Sequence, residues 1–98
     1  MPASQVLEAL GDVIDPELGV DLVNLGLVYS VAVIARNIEA TISLTTPGCP
    51  MHGTIEKDVL LTLERLPGVE FVDVKIVWDP PWSPEMMTDE GRRRLHWI

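Results

Sequence analysis

The sequence contains one cysteine, one phenylalanine and one tyrosine, and only 7 of its 98 residues are lysine or arginine. A single cysteine excludes a disulfide framework within the chain and fits a reducing compartment, so we expect a cytoplasmic protein. The 15 acidic residues bring the net charge to -8, which opposes binding to nucleic acid. No apolar run approaches the ~20 residues that span a membrane. These absences predict a protein that binds neither nucleic acid nor membrane.

The length and the hydrophobic fraction of 47% predict one domain, over residues 1–98, with one compact core. The basic cluster Arg92–Arg94 lies at the end of a predicted helix. Arginines there more often complement the helix dipole or nearby carboxylates than bind nucleic acid.

The spacing of apolar residues predicts the element order α-β-β-α-β-α. A period of 3.6 indicates the helices, the first with Ser4 as its N-cap. Alternation with a period of two indicates the strands, with a tight turn at Arg36-Asn37 between the first two. The predicted helices are Ser4–Ile14, Met51–Leu66 and Thr88–Leu95, and the predicted strands are Leu27–Ala35, Ile38–Thr45 and Val69–Trp78.

The connections between the predicted strands indicate a mixed sheet. The tight turn makes the first two strands antiparallel, and the alternation in the second strand turns Glu39, Thr41, Ser43 and Thr45 outward. A helix lies between the second and third strands, so a right-handed crossover makes those two parallel. We therefore expect an α/β (α+β) fold: a small two-layer sandwich in which helices pack on a three-stranded mixed sheet.

The lone cysteine, Cys49, lies in the turn Pro47-Gly48-Cys49-Pro50, between the second strand and the second helix. Proline favours the first helical position, which places Cys49 at or beside the N-cap. Free backbone N–H groups and the helix dipole favour a thiolate there, the form that binds soft metals or attacks electrophiles. The alternative is a cysteine that only packs beneath the turn. His52 adds one more ligand at most, too few for a zinc site.

Two other segments carry candidate site residues. Asp15 and Glu17 flank Pro16, where paired carboxylates bind a cation or transfer a proton; the alternative is that Asp15 caps backbone amides and Glu17 is solvated. The hydroxyls of Thr45 and Thr46 either donate to a bound sulfur or carboxylate, or satisfy backbone groups at the strand end.

The C-terminal segment is apolar, with Trp78, Trp82 and Met86-Met87. We expect it to fold back as an internal lid over the sheet or the cysteine turn. The alternative is an exposed patch for a partner, since Trp and Met are enriched in the cores of interfaces.

Three stretches occur in order: DPELGVDLVNLGLVY (15–29), LTTPGCPMHG (44–53) and WDPPWSPEMMTDEGRRRL (78–95). Together they resemble the metal–sulfur cluster assembly factor family, above all its stand-alone SufT-like bacterial members. The resemblance implies the predicted fold and a role in maturing iron–sulfur proteins. It also implies that Cys49 is the functional thiol and that Asp15, Glu17, Thr45 and Thr46 line its pocket. The C-terminal cysteines of PaaD-type members are missing here.

One cysteine cannot hold an iron–sulfur cluster within a monomer, because such clusters usually take four protein ligands. In one hypothesis Cys49 of two subunits bridges a transient cluster in a homodimer. In another it is a transient ligand or persulfide carrier among scaffold proteins, carrier proteins and client apoproteins. In the third the chain is an adaptor that carries no cluster. We expect no enzyme, since the only bases on offer near Cys49 are His52, Asp15 and Glu17.

Overall fold

Three strands form one sheet in the structure, a computed structural model that describes residues 2–16, 18–44 and 52–95. They are β1 (Val28–Ile34), β2 (Asn37–Ile42) and β3 (Phe71–Ile76). The central strand β2 pairs antiparallel with β1 and parallel with β3. The mixed three-stranded sheet that the sequence predicts is confirmed.

Four α-helices accompany the sheet in the described part of the chain: α1 (Ala3–Leu10), α2 (Leu22–Leu25), α3 (His52–Glu64) and α4 (Asp89–Arg94). Ile55, Val59 and Leu63 lie one turn apart on α3 and are buried. This helix packs on β3 and on α1, and it ends at Glu64, two residues before the predicted end at Leu66. None of the helices in the described ranges has both the length and the apolar character needed to cross a membrane.

The two faces of the sheet differ in burial. Ile38, Ala40 and Ile42 alternate along β2 and are fully buried in the core. The other face carries Asn37 and Glu39 on β2, together with their paired neighbours on β1 and β3, and its residues are exposed or half-buried. We call this second face the open face. The fold is therefore the predicted two-layer sandwich, with helices on one face of the sheet.

The first helix starts earlier and ends sooner than the sequence predicts. It stops at Leu10 because the chain turns there and becomes extended, so that Ile14 pairs with Asp21 instead of continuing the helix. The N-cap is Pro2, so the prediction of Ser4 was wrong. An exposed helix start does not require a side-chain cap, because water can satisfy its free N–H groups.

The turn between β1 and β2 lies one residue earlier than predicted. Ile34 pairs with Asn37, so the loop residues are Ala35 and Arg36. Ala35 takes a positive φ of 56°, a conformation that asparagine adopts more readily than alanine. Burial of Ile38 on the core face sets the strand register and overrides that local preference.

A one-turn helix, α2, occupies a stretch that lies outside the helices and strands predicted from the sequence. Asp21 is its N-cap and accepts hydrogen bonds from the backbone N–H of Asn24 at 3.0 Å and from its side-chain amide at 2.7 Å. Gly26 follows the helix with a positive φ of 76°. An aspartate before the helix and a glycine after it were the available signals, but four residues are too few to show a helical period.

Candidate functional site

The structure describes one of the predicted site residues. Asp15 lies within the described ranges, whereas Glu17, Thr45, Thr46 and Cys49 lie outside them. The grouping of these residues around the thiol therefore stays a prediction.

Asp15 is a buried carboxylate, 3% exposed, in the loop between α1 and α2. Its Oδ1 accepts a hydrogen bond from the backbone N–H of Leu18 at 3.2 Å. Its own N–H donates to the carbonyl of Val20, and its carbonyl accepts from the N–H of Gly19 at 2.7 Å. The carboxylate thus caps a backbone amide, which is one of the two roles that the sequence left open. The same bonds hold it at a set position in the loop.

The segment that carries Cys49 joins the central strand to the longest described helix. β2 and the buried Ser43-Leu44 pair precede it, and α3 begins just after it at His52. Residues 45–51 therefore connect the carboxyl end of the middle strand to the amino end of α3. The sequence predicts this place in the chain for the thiol.

Ser43 is fully buried, although the alternation of the predicted strand turns it outward. Its N–H donates to the carbonyl of Leu27 at 2.8 Å, whereas its Oγ has no hydrogen-bond partner among the described residues. The prediction failed because β2 ends at Ile42, after which the alternation no longer applies. A buried hydroxyl without a partner costs about 1–3 kcal/mol. Ser43 lies two residues before the segment 45–51, which bears Cys49 and is outside the described residues.

A polar cluster joins α2 to α4. Arg94 Nη1 donates to Asp21 Oδ1 at 3.3 Å. Thr88, the N-cap of α4, donates its hydroxyl to Asn24 Oδ1 at 2.6 Å. A cavity of about 450 Å³ opens beside the cluster, between these helices and α1. The cluster shows that Asp21 and Asn24 stabilise the fold, as turn-stabilising residues do.

The C-terminal segment packs against the rest of the chain. Trp82 Nε1 donates to the carbonyl of Leu25 at 2.6 Å, and the Tyr29 hydroxyl donates to the carbonyl of Pro80 at 2.8 Å. Met87 is buried. The segment covers α2 and the start of β1, so it folds back as the sequence favours, although Trp78 is 38% exposed and the cysteine turn lies outside the described residues. A cavity of about 500 Å³ lies between the C-terminal segment and the start of β1, and its lining residues are Gly26, Val28, Tyr29, Pro80 and Met86.

Each arginine at the end of α4 lies beside a carboxylate. The pairs are Arg92–Asp89 at 3.6 Å, Arg93–Glu90 at 3.4 Å and Arg94–Asp21 at 3.3 Å. The positive charges are therefore balanced locally, as expected of arginines at a helix end.

Within residues 2–16, 18–44 and 52–95, no three histidine, cysteine, aspartate or glutamate side chains gather closely enough to hold a metal ion. Cys49 is not among these residues. A metal contact through its thiol therefore stays a prediction.

Known proteins resemble this chain in sequence and in fold. The model of the family described as iron–sulfur cluster assembly protein matches residues 3–76. The Fe–S protein maturation auxiliary factor SufT of Staphylococcus aureus is 47% identical over 77 residues, which cover 78% of this chain and 88% of SufT. An iron–sulfur cluster carrier protein of Synechocystis sp. is 41% identical over 76 residues, which cover 78% of this chain and 22% of that protein. A domain of unknown function from Bacillus anthracis, solved by crystallography, superposes with a TM-score of 0.90 at 44% identity, covering 97% of this chain and 92% of that one.

Proposed function

This chain belongs to the iron–sulfur cluster assembly protein family, and from that premise we propose that it helps deliver iron–sulfur clusters to apoproteins through Cys49. A role in the assembly or maturation of iron–sulfur proteins is carried by one observation, the 47% identity to a maturation factor over 78% of this chain. The finer statement, delivery through the thiol, is the proposal.

Cys49 is the proposed contact because it is the only thiol of the chain. Thiolates are the usual protein ligands of iron–sulfur clusters, and a cluster usually takes about four. One chain supplies one of them, so a second copy, a small thiol or a partner protein supplies the rest. Ligation by a single thiol of this chain suits a cluster that is bound transiently and then passed on. The likeness to a protein named as a cluster carrier supports this reading.

We propose that Asp15, Glu17, Thr45 and Thr46 line the pocket around the thiol. What supports Asp15 is its burial in a loop that three hydrogen bonds hold in place. A carboxylate held in this way offers an acceptor at a set position.

The proposal is carriage and not catalysis. A single thiol suits transient ligation, whereas a thiol-dependent enzyme needs a base oriented toward its nucleophile. The proposed partners are scaffold proteins, carrier proteins and client apoproteins. A reducing cytoplasm would keep the lone thiol free for ligation.

Anaerobic reconstitution tests the proposal. The wild-type chain and its Cys49→Ala variant are each given ferrous iron, sulfide and a small thiol, then desalted. Charge-transfer absorption with bound iron and sulfide is expected in the wild type alone. Transfer of the cluster to an apo-ferredoxin is the second readout, and sedimentation shows whether the loaded species is a dimer.

Two results would contradict carriage through Cys49. Neither protein retaining iron would exclude a bound cluster, and equal retention by both would remove Cys49 from its ligands. In either case the second candidate function, an adaptor that links the assembly machinery to client proteins, would take its place. The observation that favours an adaptor is a pair of exposed apolar side chains on the open face.

A further inference from the structure

Two large apolar side chains project from the open face at one end of the sheet. Ile34 is 64% exposed and Phe71 is 62% exposed. Asn37 pairs with both, so the three residues form one row across the sheet, with the two apolar residues about 10 Å apart. We call this the apolar row. Single exposed apolar residues are ordinary on protein surfaces, but two in one row form a patch.

The next row of the open face brings two carboxylates together. Glu39 and Asp73 are paired residues on β2 and β3. Like charges directly opposite each other destabilise a sheet. Lys75 Nζ lies 3.5 Å from a carboxylate oxygen of Glu39 and 3.9 Å from one of Asp73, so a single lysine forms ion pairs with both carboxylates. The row keeps a net negative charge at a cost to the sheet, and such local conflicts are typical of functional surfaces.

The negative charge of the open face indicates which kind of partner it can bind. A second copy would bring the same acidic row and a net charge of -8 to the contact, so like charges oppose self-association through the open face. Nucleic acids and anionic membranes are opposed for the same reason. A protein segment with lysine or arginine beside apolar side chains complements both rows.

The apolar row lies at the far end of the sheet from the segment that carries the thiol. Asn37 and Phe71 are the first residues of β2 and β3, whereas residues 45–51 come after the end of β2. The 6 residues of β2 span about 20 Å. A partner on the apolar row therefore contacts the opposite end of the strands.

We propose that the open face docks a basic, amphipathic segment of a partner protein. Apolar side chains of the segment cover Ile34 and Phe71, and its lysine or arginine pairs with Glu39 and Asp73. The inference rests on the proposed function only in assigning the partner to iron–sulfur assembly, as a scaffold, carrier or client protein. The surface itself does not involve Cys49.

A titration followed by NMR of the ¹⁵N-labelled chain, reduced and free of iron, tests the docking. The probe is a synthetic peptide that alternates lysine and valine, and a peptide that alternates glutamate and valine is the charge control. The lysine peptide is expected to shift the amide signals of Ile34, Glu39, Phe71 and Asp73. The double variant Ile34→Ser/Phe71→Ser is expected to weaken its Kd about tenfold.

The matched control is Leu7→Ser/Leu61→Ser, which removes two other exposed apolar side chains and should leave the Kd unchanged. Shifts scattered over the acidic surface, equal binding of both peptides, or an unchanged Kd in the Ile34/Phe71 variant would overturn the proposal. Dimerisation of the wild type that this variant abolishes would also overturn it, in favour of a second copy. Cys49→Ala should bind the peptide as the wild type does, so docking and cluster carriage can fail separately.

Discussion

The indole N–H of Trp82 donates to the carbonyl oxygen of Leu25 at 2.6 Å, and this bond ties the C-terminal segment to the last residue of α2. The hydroxyl of Tyr29 holds the same segment through the carbonyl of Pro80. Trp82 therefore belongs to the internal packing of the fold.

Replacing Trp82 by phenylalanine should lower the free energy of unfolding by about 1 kcal/mol, because Trp82→Phe keeps a ring but leaves the carbonyl of Leu25 without its donor. Urea unfolding measures this change. The exposed substitution Ile34→Val is the control and should stay within about 0.5 kcal/mol of the wild type. An unchanged stability in Trp82→Phe would mean that the bond contributes nothing to the fold.

Two glycines in helices should respond to alanine with opposite signs. A Cβ added at Gly91 in α4 would lie 2.5 Å from the carbonyl oxygen of Asn24, whereas no atom of the described residues lies within 4 Å of one added at Gly53 in α3. Alanine favours a helix over glycine by up to about 1 kcal/mol. We expect Gly53→Ala to raise the free energy of unfolding by about 0.5 kcal/mol. Gly91→Ala should lower it by about 1 kcal/mol or more, because α4 must move off α2.

Thermal unfolding of both glycine variants compares the two signs directly. A stabilised Gly91→Ala would show that α4 does not pack on Asn24 as described.

Removing the buried hydroxyl of Ser43 should leave the free energy of unfolding unchanged or raise it by about 1 kcal/mol, because Ser43→Ala deletes a polar atom that has no partner among the described residues. Thr88→Ala is the matched control, since that hydroxyl donates to Asn24 and accepts from the N–H of Gly91. The control should lose about 1 kcal/mol in denaturant unfolding. A comparable loss in Ser43→Ala would reveal a partner for its hydroxyl.

The pKa of Glu85 lies below its ordinary value of 4.5, chiefly because the Ser83 side chain hydrogen-bonds the carboxylate, with further help from its own backbone N–H and from Arg92. A carboxyl group whose pKa is lower in the folded state than in the unfolded state stabilises the fold at pH values above its unfolded-state pKa. This stabilisation is lost as the pH falls through the folded-state pKa. Ser83→Ala should raise the pKa of Glu85 toward 4.5 in an NMR titration of its carboxyl carbon. Ser30→Ala, on the open face, removes a hydroxyl that does not contribute to this pKa and should leave it unchanged.

The periodicity of the chain was enough to predict the three strands and every α-helix of the described residues except the one-turn α2. The tight turn and the crossover helix predicted how the strands pair. Alternation along the second predicted strand turned Glu39 and Thr41 outward, and Ile38, Ala40 and Ile42 between and beside them are buried as that alternation requires. These predictions hold because burial of one face repeats with the period of the element itself. Prediction failed where that period stops, as at Ser43 and at Ile14.

One residue of the candidate site, Asp15, could also be predicted from the sequence. The sequence singled out Asp15 and named backbone capping as one of its roles, because an aspartate before a proline in a turn often accepts from nearby amides. The capping bond to Leu18 is confirmed. Glu17, Thr45, Thr46 and Cys49 lie outside the described residues, and their grouping stays a prediction.

The sequence by itself determined the fold class, the strand order and the family to which the chain belongs, because hydrophobic period, turn residues and motifs are local properties. Only the tertiary structure decided that Phe71 projects from the open face, that Ser43 is buried, and that Trp82 is tied to α2. Each of these depends on which distant segments meet. The Trp82–Leu25 bond joins residues 57 positions apart, and no local pattern encodes such a contact.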